Sequence, residues 1–324
     1  MTMSKSDLMF DSDLIYDSDL IPHADMYTLL RPVHNHCTCA YGSKMFECKI
    51  AALHGHLECL QWAKSRGAPW DEETCAAAAS GGHLSVLQWA RAHGAPWNAS
   101  TCRNAAEHGH IEVLKWARDN GAPWDERTCE NAAKRGYLEV LKWARDNGAP
   151  WDEWTCAYAA YNGHIGVLQW ARSNGAPWNT SVCANAASNG HLDIIQWAMA
   201  NGAPYDARTC TNTIWKNQLN ILKFARTNGV PWDEKTYEHI AFHGSPEFLH
   251  YAIETSDDNW WHLNINLYAY KVIQCNWFGL CVKLMSRGWG TRHMNVKTST
   301  FISTLHSTIP LINPLCKLII NYCV

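Results

Sequence analysis

At 324 residues, the chain is long enough for one or two globular domains, or for one extended array of small units. Its formal net charge of −3, with His counted as neutral, gives no electrostatic case for binding nucleic acid or an acidic membrane. The chain contains 18 Trp and 14 Cys, high numbers for its length, and the regular spacing of many of them indicates a repeated unit.

The N-terminal stretch is acidic and of low complexity. Three hexapeptides that begin Ser-Asp-Leu follow one another between Ser6 and His23. Residues 1–25 are predicted to be a disordered tail, with a short linear docking motif as the alternative. Residues 26–43 are predicted to form an N-terminal cap. No secretory signal is expected, because the stretch lacks a continuous apolar region.

The predicted cap contains side chains of the types that bind zinc, namely His34, His36, Cys37 and Cys39. Their spacing is not that of a zinc finger, in which two to four residues separate paired ligands. We interpret them as cap residues, and metal binding is the alternative.

One four-residue phrase, Gly-Ala-Pro-Trp, organises the middle of the chain. It recurs every 27 residues and changes in its last two copies to Gly-Ala-Pro-Tyr and Gly-Val-Pro-Trp. The seven copies begin at Gly67, Gly94, Gly121, Gly148, Gly175, Gly202 and Gly229. Such a period indicates stacked repeats, because one unit cannot bury its own apolar face. Residues 44–260 are therefore predicted to form an array.

Each unit predicts two short helices. In the unit that begins at Asp125, this residue suits a helix N-cap, and Cys129 and the following Ala pair share one helical face. Gly136 ends the first helix, and an apolar second helix runs to Gly148. No stretch alternates with period two, so no strand is predicted.

These residues resemble the ankyrin repeat. That family opens its first helix with Thr, continues with an Ala pair and Gly-His, and ends its second helix in Gly-Ala. The same order stands in this chain at Thr101, Ala105, Ala106, Gly109, His110, Val113, Gly121 and Ala122.

The resemblance implies an all-α solenoid of stacked helix-turn-helix repeats and a protein–protein interaction scaffold. The unit is about six residues shorter than the usual 33. Most of the missing length lies where ankyrin repeats build a β-hairpin, so short loops without a hairpin are expected. The short, Trp-rich unit is similar to ankyrin arrays of giant viruses and algae-like protists, and a viral origin would place the protein in a host cell.

Three residue types recur in columns through the array. The Cys column is predicted to be buried free thiols, because stacked helices lie roughly 8–10 Å apart and a disulfide needs Cα atoms within about 7 Å. Free thiols imply a reducing compartment, the cytoplasm or nucleus. Two Trp columns are interpreted as packing, and the His column as hydrogen bonding in turns. The Cys column comprises Cys48, Cys75, Cys102, Cys129, Cys156, Cys183 and Cys210.

The outward positions of the first helices vary from unit to unit, whereas the Cys, Ala-Ala, Gly and Trp positions barely change. At 100° per residue, Trp154, Tyr158 and Tyr161 share one side of a helix, opposite its Cys and Ala face. Outward aromatic residues near Arg127 and Arg208 are typical of a binding hot spot, and Trp215 belongs to the same column. These six residues are the candidate partner-binding residues; scattered surface aromatics, or contact with the N-terminal tail, are the alternatives.

The repeat pattern decays toward the C-terminus. Residues 261–290 are predicted to be a diverged last repeat, and residues 291–324 C-terminal cap helices. The segment 310–322 also resembles the first helix of a SOCS box, the elongin-binding element of some ubiquitin-ligase receptors. That resemblance implies elongin B and C as partners, bound through Ile312, Cys316 and Ile320.

No catalytic motif stands out from the repeats. The sequence has no Gly-rich phosphate loop, no His-Glu-x-x-His and no Gly-x-Ser-x-Gly. The apolar stretch 309–324 is too short for a membrane span of about 20 residues. The sequence therefore predicts a protein-binding array without catalytic activity or cofactor, and a ubiquitin-ligase substrate receptor is the alternative.

Overall fold

The computed structural model describes residues 44–255, apart from the side chains of residues 44–47, 241, 242, 246 and 253. Within this range the chain is helical and contains no strand. This agrees with the prediction that short loops, without a β-hairpin, connect the repeats. The predicted tail, N-terminal cap, last repeat and C-terminal helices lie outside the described residues. No helix in this range is long and apolar enough to cross a membrane.

Each repeat contributes a first and a second helix. The first helices are α1 (Lys44–Leu53), α3 (Glu72–Ser80), α5 (Ala99–Glu107), α7 (Glu126–Lys134), α9 (Glu153–Tyr161), α11 (Ser181–Asn189), α13 (Arg208–Thr211) and α15 (Glu234–His243). The second helices are α2 (Leu57–Ser65), α4 (Leu84–Ala92), α6 (Ile111–Asp119), α8 (Leu138–Asp146), α10 (Ile165–Ser173), α12 (Leu192–Ala200), α14 (Leu219–Thr227) and α16 (Pro246–Thr255).

The first helices pack directly against one another in a row. Their facing side chains are small: Cys129, Ala132 and Ala133 of α7 are each 0% exposed, and the same positions are buried in the neighbouring repeats. Small side chains let helix axes approach closely, so this row forms the continuous core of the array.

The Cys column is buried and reduced, as predicted. Each of its seven members is 0% exposed, and none is joined in a disulfide. Burial raises the pKa of the Cys129 thiol to about 12, despite the nearby positive charge of Arg145. The column therefore packs as small apolar side chains rather than as reactive thiolates.

Asn-Gly pairs end five of the second helices described, from α6 to α14, whereas Arg66 and His93 precede the Gly after α2 and α4. The amide of Asn120 donates to the carbonyl oxygen of Trp116 at 2.8 Å, and Gly121 follows with a φ of 85°. A side chain at that left-handed position would be strained, which explains why Gly opens every Gly-Ala-Pro-Trp phrase.

The His column joins one repeat to the preceding one. The Nε2 atoms of His110, His164 and His191 lie 3.0–3.1 Å from carbonyl oxygens near the end of the preceding first helix. A Cβ atom on Gly82 would lie 2.6 Å from the His110 ring. The predicted hydrogen bonds are present, but they cross the repeat boundary instead of staying within one turn.

A second ladder of cross-repeat hydrogen bonds comes from Asn side chains on the first helices. Each amide nitrogen donates to a backbone carbonyl oxygen 28 residues earlier, at 3.0–3.4 Å. The donors are Asn104, Asn131, Asn185 and Asn212. These bonds fix the register between adjacent first helices without using their backbone donors.

Trp and Arg form a ladder through the loops and second helices. The guanidinium of Arg118 lies over the Trp124 ring at 3.9 Å, and Trp124 meets Trp143 of the next second helix edge-on at 6.1 Å. The arrangement recurs along the array and confirms that both Trp columns are packing residues. We call it the Arg–Trp ladder.

The regular pattern is interrupted after α12. There Met199, Tyr205 and Phe224 replace the Arg and the two Trp of the ladder. The first helix that follows, α13, is only four residues long. Ile214 occupies a position held by Ala in the preceding repeats, and two separate hydrophobic clusters meet at this point.

Asp125 departs from the capping role predicted for it. It stands at the N-cap of α7, but its carboxylate binds the guanidinium of Arg103 on the preceding first helix. The hydrogen bond from Arg103 lowers the pKa of Asp125. Other repeats keep the predicted cap, as where the Asp152 carboxylate accepts from the backbone N–H of Trp154 at 3.0 Å.

Buried Thr hydroxyls form another column. The Oγ1 atoms of five Thr residues near the start of the first helices have no hydrogen-bond partner among the described residues. They belong to Thr74, Thr101, Thr128, Thr155 and Thr209. Val182 occupies the same position in α11 and is 0% exposed. The position therefore requires the shape of a β-branched side chain and not its hydroxyl.

We expect Thr128→Val to raise the free energy of unfolding by about 1 kcal/mol, because it removes a buried hydroxyl that lacks a partner. Urea denaturation followed by circular dichroism measures the change. The reverse substitution, Val182→Thr, is the control and should lower the stability. Destabilisation by Thr128→Val would show that the hydroxyl is bonded after all.

Two carboxylates face each other between α7 and α9. Glu130 occupies the position that Arg103 holds one repeat earlier, and its side chain shares a hydrogen bond with Asp152. Burial, followed by the negative charge of Asp152, raises the pKa of Glu130 to about 7. Arg103 and Asp125 link α5 to α7 through an ion pair. At the equivalent place between α7 and α9, Glu130 and Asp152 are therefore linked by a shared proton.

This pair should make stability depend on pH. The folded protein holds the Glu130 proton up to about pH 7, whereas an unfolded Glu loses it near pH 4.3. Stability should therefore fall as the pH rises through that window. Glu130→Gln should raise the unfolding midpoint at pH 8 and leave it unchanged at pH 4. An equal effect at both values would contradict the assignment.

Candidate partner-binding surface

The outward side of α9 carries three aromatic residues, Trp154, Tyr158 and Tyr161. The opposite side of the helix, including Cys156, is buried at 0% exposure. The three aromatic side chains are partly exposed, less than the full exposure that the sequence predicts. We call these three residues the aromatic stripe.

The aromatic stripe is held in place at both ends of the helix. The rings of Trp154 and Tyr158 lie 5.7 Å apart with a tilt of 35° between their planes. The backbone carbonyl of Tyr161 accepts from the Asn189 amide at 2.7 Å and lies 3.1 Å from the His191 ring nitrogen. The three rings are therefore presented on a backbone that the next repeat fixes.

Tyr158 occupies a position in the Asn ladder. The equivalent residues are Asn131 in α7 and Asn185 in α11, whose amides donate to the preceding repeat. The sequence shows this substitution, but the structural role of the Asn that Tyr158 replaces becomes visible only once the ladder is known. Within the aromatic stripe, Tyr158 therefore stands where neighbouring repeats carry a structural Asn. Random variation of solvent-exposed side chains would not change such a position.

Arg127 lies on α7, one repeat before α9, and Arg208 begins α13, two repeats after α9; the two differ in their surroundings. Arg127 is exposed, and its guanidinium makes no hydrogen bond or ion pair with the described residues. Arg208 is held by the Asp206 carboxylate at 2.9 Å and by the Thr180 hydroxyl at 2.7 Å. Arg208 therefore leans back toward α11, and much of its charge is neutralised.

Trp215 does not join the aromatic stripe. It follows α13, two repeats beyond α9, and its ring contacts His239 at 5.1 Å and His243 at 4.5 Å. It is nevertheless the most exposed of the large hydrophobic residues described, at 57%. The six predicted residues thus form one cluster of three, two flanking cations and a separate Trp–His cluster.

Lys216 also lies on this surface, although it is not among the residues predicted from the sequence. Its ammonium group reaches back to the Asn189 side-chain oxygen at the end of α11. The register of the repeats would have indicated it, because Lys216 stands 27 residues after Asn189.

The other candidate residues fall elsewhere. His34, His36, Cys37 and Cys39, proposed as possible metal ligands, lie outside the described residues, as do Ile312, Cys316 and Ile320. Within residues 44–255, no group of three or more His, Cys, Asp or Glu side chains could hold a metal ion.

Comparison with known proteins identifies the repeat. A family model described as ankyrin repeats (many copies) matches residues 129–172 and 156–198. The crystal structure of human ASB11 ankyrin repeat domain is similar with a TM-score of 0.41 and 18% identity, over 48% of this chain and 84% of that chain. No curated protein sequence matches the chain. The match shows ankyrin repeats within residues 129–198, and the same 27-residue unit recurs on both sides of that range.

Proposed function

We propose that the chain binds a partner protein through the outward sides of its first helices, centred on the aromatic stripe. Ankyrin repeats are protein–protein interaction scaffolds. The proposed contact residues are Trp154, Tyr158 and Tyr161, with Arg127, Arg208 and Trp215 around them. The reducing interior of a cell, cytoplasm or nucleus, is the proposed location, supported by the free thiols of the Cys column.

One observation carries the proposal. In the repeats next to α9, the positions of the aromatic stripe hold polar or charged residues, whereas the buried positions keep the same Cys and Ala. Large aromatic side chains contribute much of the binding energy in protein interfaces, and half-exposed rings on a fixed backbone lose little conformational entropy on binding. A stripe that serves packing alone would recur in the neighbouring repeats.

A triple variant made from the chain's own neighbouring residues tests this. Trp154→Ser, Tyr158→Asn and Tyr161→Ser install the side chains that α11 carries at the same positions. We expect the unfolding midpoint to change little, because Asn at position 158 should join the Asn ladder. Partner capture from lysate of the native cell, read by mass spectrometry, should be lost.

Tyr205→Ser is the control, because Tyr205 is a 39% exposed aromatic residue in the loop before α13, at the position of the loop Trp of the Arg–Trp ladder. The proposal predicts that this variant captures the same partner as the unaltered chain. Equal capture by the triple variant would rule out the aromatic stripe as the contact surface.

A ubiquitin-ligase substrate receptor is the second candidate. It is supported only by the SOCS-box-like pattern of Ile312, Cys316 and Ile320. If these residues dock into elongin, the stripe they form at i, i+4, i+8 would be covered by that partner. If the segment is a cap, the same stripe packs on the last repeat.

Truncation after Ser307 separates the two readings of the C-terminus. We expect the truncated chain to be less stable and less soluble, because removal of a cap exposes apolar surface. Thermal unfolding and co-purification with elongins B and C measure the two effects. A stable truncated array that has lost elongin binding would instead establish the docking helix.

A further inference from the structure

Seven Asn-Gly pairs recur in the chain, and all of them lie within the described repeats. Two end the first helices α9 and α11, where the next repeat covers the Gly: a Cβ atom on Gly163 would lie 2.7 Å from the His191 ring. The other five follow second helices, and both of their residues are exposed. These exposed pairs begin at Asn120, Asn147, Asn174, Asn201 and Asn228.

An Asn that precedes Gly can lose its side-chain amide without an enzyme. The Gly backbone nitrogen attacks the Cγ atom of the Asn, because Gly has no Cβ atom to hinder the approach. The Cγ–Nδ2 bond breaks, and ammonia leaves with the proton of the Gly N–H. Water then opens the resulting five-membered ring at Cγ to give Asp, or at the backbone carbonyl carbon to give isoaspartate.

The folded array blocks this reaction, as Asn174 and Asn201 show. A nearly planar ring requires a ψ of about −120° at the Asn, outside the regions that L-residues usually occupy. The ψ angle is 17° at Asn174 and 16° at Asn201. Each side-chain amide donates to the carbonyl oxygen of a Trp four residues earlier at 2.8 Å. The N–H groups of Gly175 and Gly202 each donate to a carbonyl oxygen at 3.1 Å. Deamidation therefore requires the turn to open.

An Arg side chain clamps the turn at Asn174. The Arg172 guanidinium donates to the Ala176 carbonyl oxygen at 2.9 Å and lies over the Trp178 ring at 4.4 Å. Trp178 also meets Trp197 of the next second helix edge-on at 6.0 Å. These contacts join the chain before Asn174 to the chain after it, so the turn cannot open without breaking them.

The turn at Asn201 lacks this clamp. Met199 stands in place of the Arg and carries no charge, and Tyr205 stands in place of the loop Trp. Tyr205 is 39% exposed, whereas the loop Trp residues of the Arg–Trp ladder are partly buried. Because the two turns share their backbone geometry, the missing clamp is the main difference between Asn201 and Asn174.

We propose that Asn201-Gly202 is a site of spontaneous deamidation, the first of the exposed Asn-Gly pairs to react. The inference is independent of the proposed partner-binding surface. The product places an oxygen atom where the Asn201 amide now donates to the Trp197 carbonyl. It also adds a negative charge at the end of α12, which has no basic residue in its last turn. Both changes disfavour the closed turn, so the modification favours the open turn that produced it.

Peptide mapping by mass spectrometry tests the inference. Full-length protein is incubated at neutral pH, and the mass gain of deamidation is followed at each Asn-Gly pair. The same chain unfolded in urea gives the rate of each pair without the fold. The ratio of the two rates measures protection, because a slow reaction reports the equilibrium population of the open turn. We expect the protection of Asn201 to be about tenfold weaker than that of Asn174.

Restoring the clamp should protect the site. In a double variant, Met199→Arg and Tyr205→Trp install the two residues that the neighbouring turn carries. We expect the protection of Asn201 to rise to that of Asn174, whose own rate should not change. Deamidation of Asn201 at its original rate in a folded variant with a closed turn would overturn the inference.

The converse double variant removes the clamp from the neighbouring turn. Arg172→Met and Trp178→Tyr give that turn the residues found around Asn201. We expect the protection of Asn174 to fall about tenfold, to that of Asn201. Thermal unfolding of both double variants verifies that the array is intact.

Hydrogen exchange at the backbone N–H groups of Gly175 and Gly202 measures the opening of each turn independently of the chemistry. Faster exchange at Gly202 together with faster deamidation at Asn201 supports the inference. Faster exchange at Gly202 without faster deamidation overturns it. Equal protection of all five exposed pairs also overturns it, since they would then react only through unfolding of the whole array.

Discussion

The close approach of the first helices, made possible by Cys and Ala side chains, is the constraint on which the rest of the array depends. With Cys129, Ala132 and Ala133 fully buried, adjacent helices lie near enough for Asn and His side chains to reach backbone carbonyls of the preceding repeat. Larger side chains at these positions would hold the helix axes farther apart. Ile214, which replaces Ala, stands where α13 is short.

Close packing on one side leaves the other side free to vary. The buried positions fix the distance between adjacent first helices. The outward positions therefore recur at regular intervals along the array, and packing does not restrict which side chains they carry. The aromatic stripe on α9 and the short side chains on α11 use this freedom in adjacent repeats. Shape and charge therefore change from helix to helix while the core beneath them stays the same, which is how a repetitive fold obtains a unique surface.

Much of this could be predicted from the sequence, and the remainder has a physical reason. The helix pair, the buried Cys face and the side of α9 that holds Trp154 follow from periodicity within one unit. The bonds of His110 and Asn104 could not be predicted in the same way, because their acceptors lie 30 and 28 residues earlier and depend on how units stack. The partial burial of the aromatic stripe could not be predicted either, because it depends on how the rings pack, as where Trp154 and Tyr158 lie 5.7 Å apart.

The interruption after α12 divides the array energetically. In a stack where each repeat touches only its neighbours, cooperativity passes through the interfaces between repeats. Loss of the Arg and Trp at Met199, Tyr205 and Phe224 removes the Arg–Trp ladder from one interface, and the apolar core splits at the same place. The segment from α13 to α16 can then fray while α1 to α12 remain folded, which makes that joint the natural boundary between two folding blocks within one continuous stack.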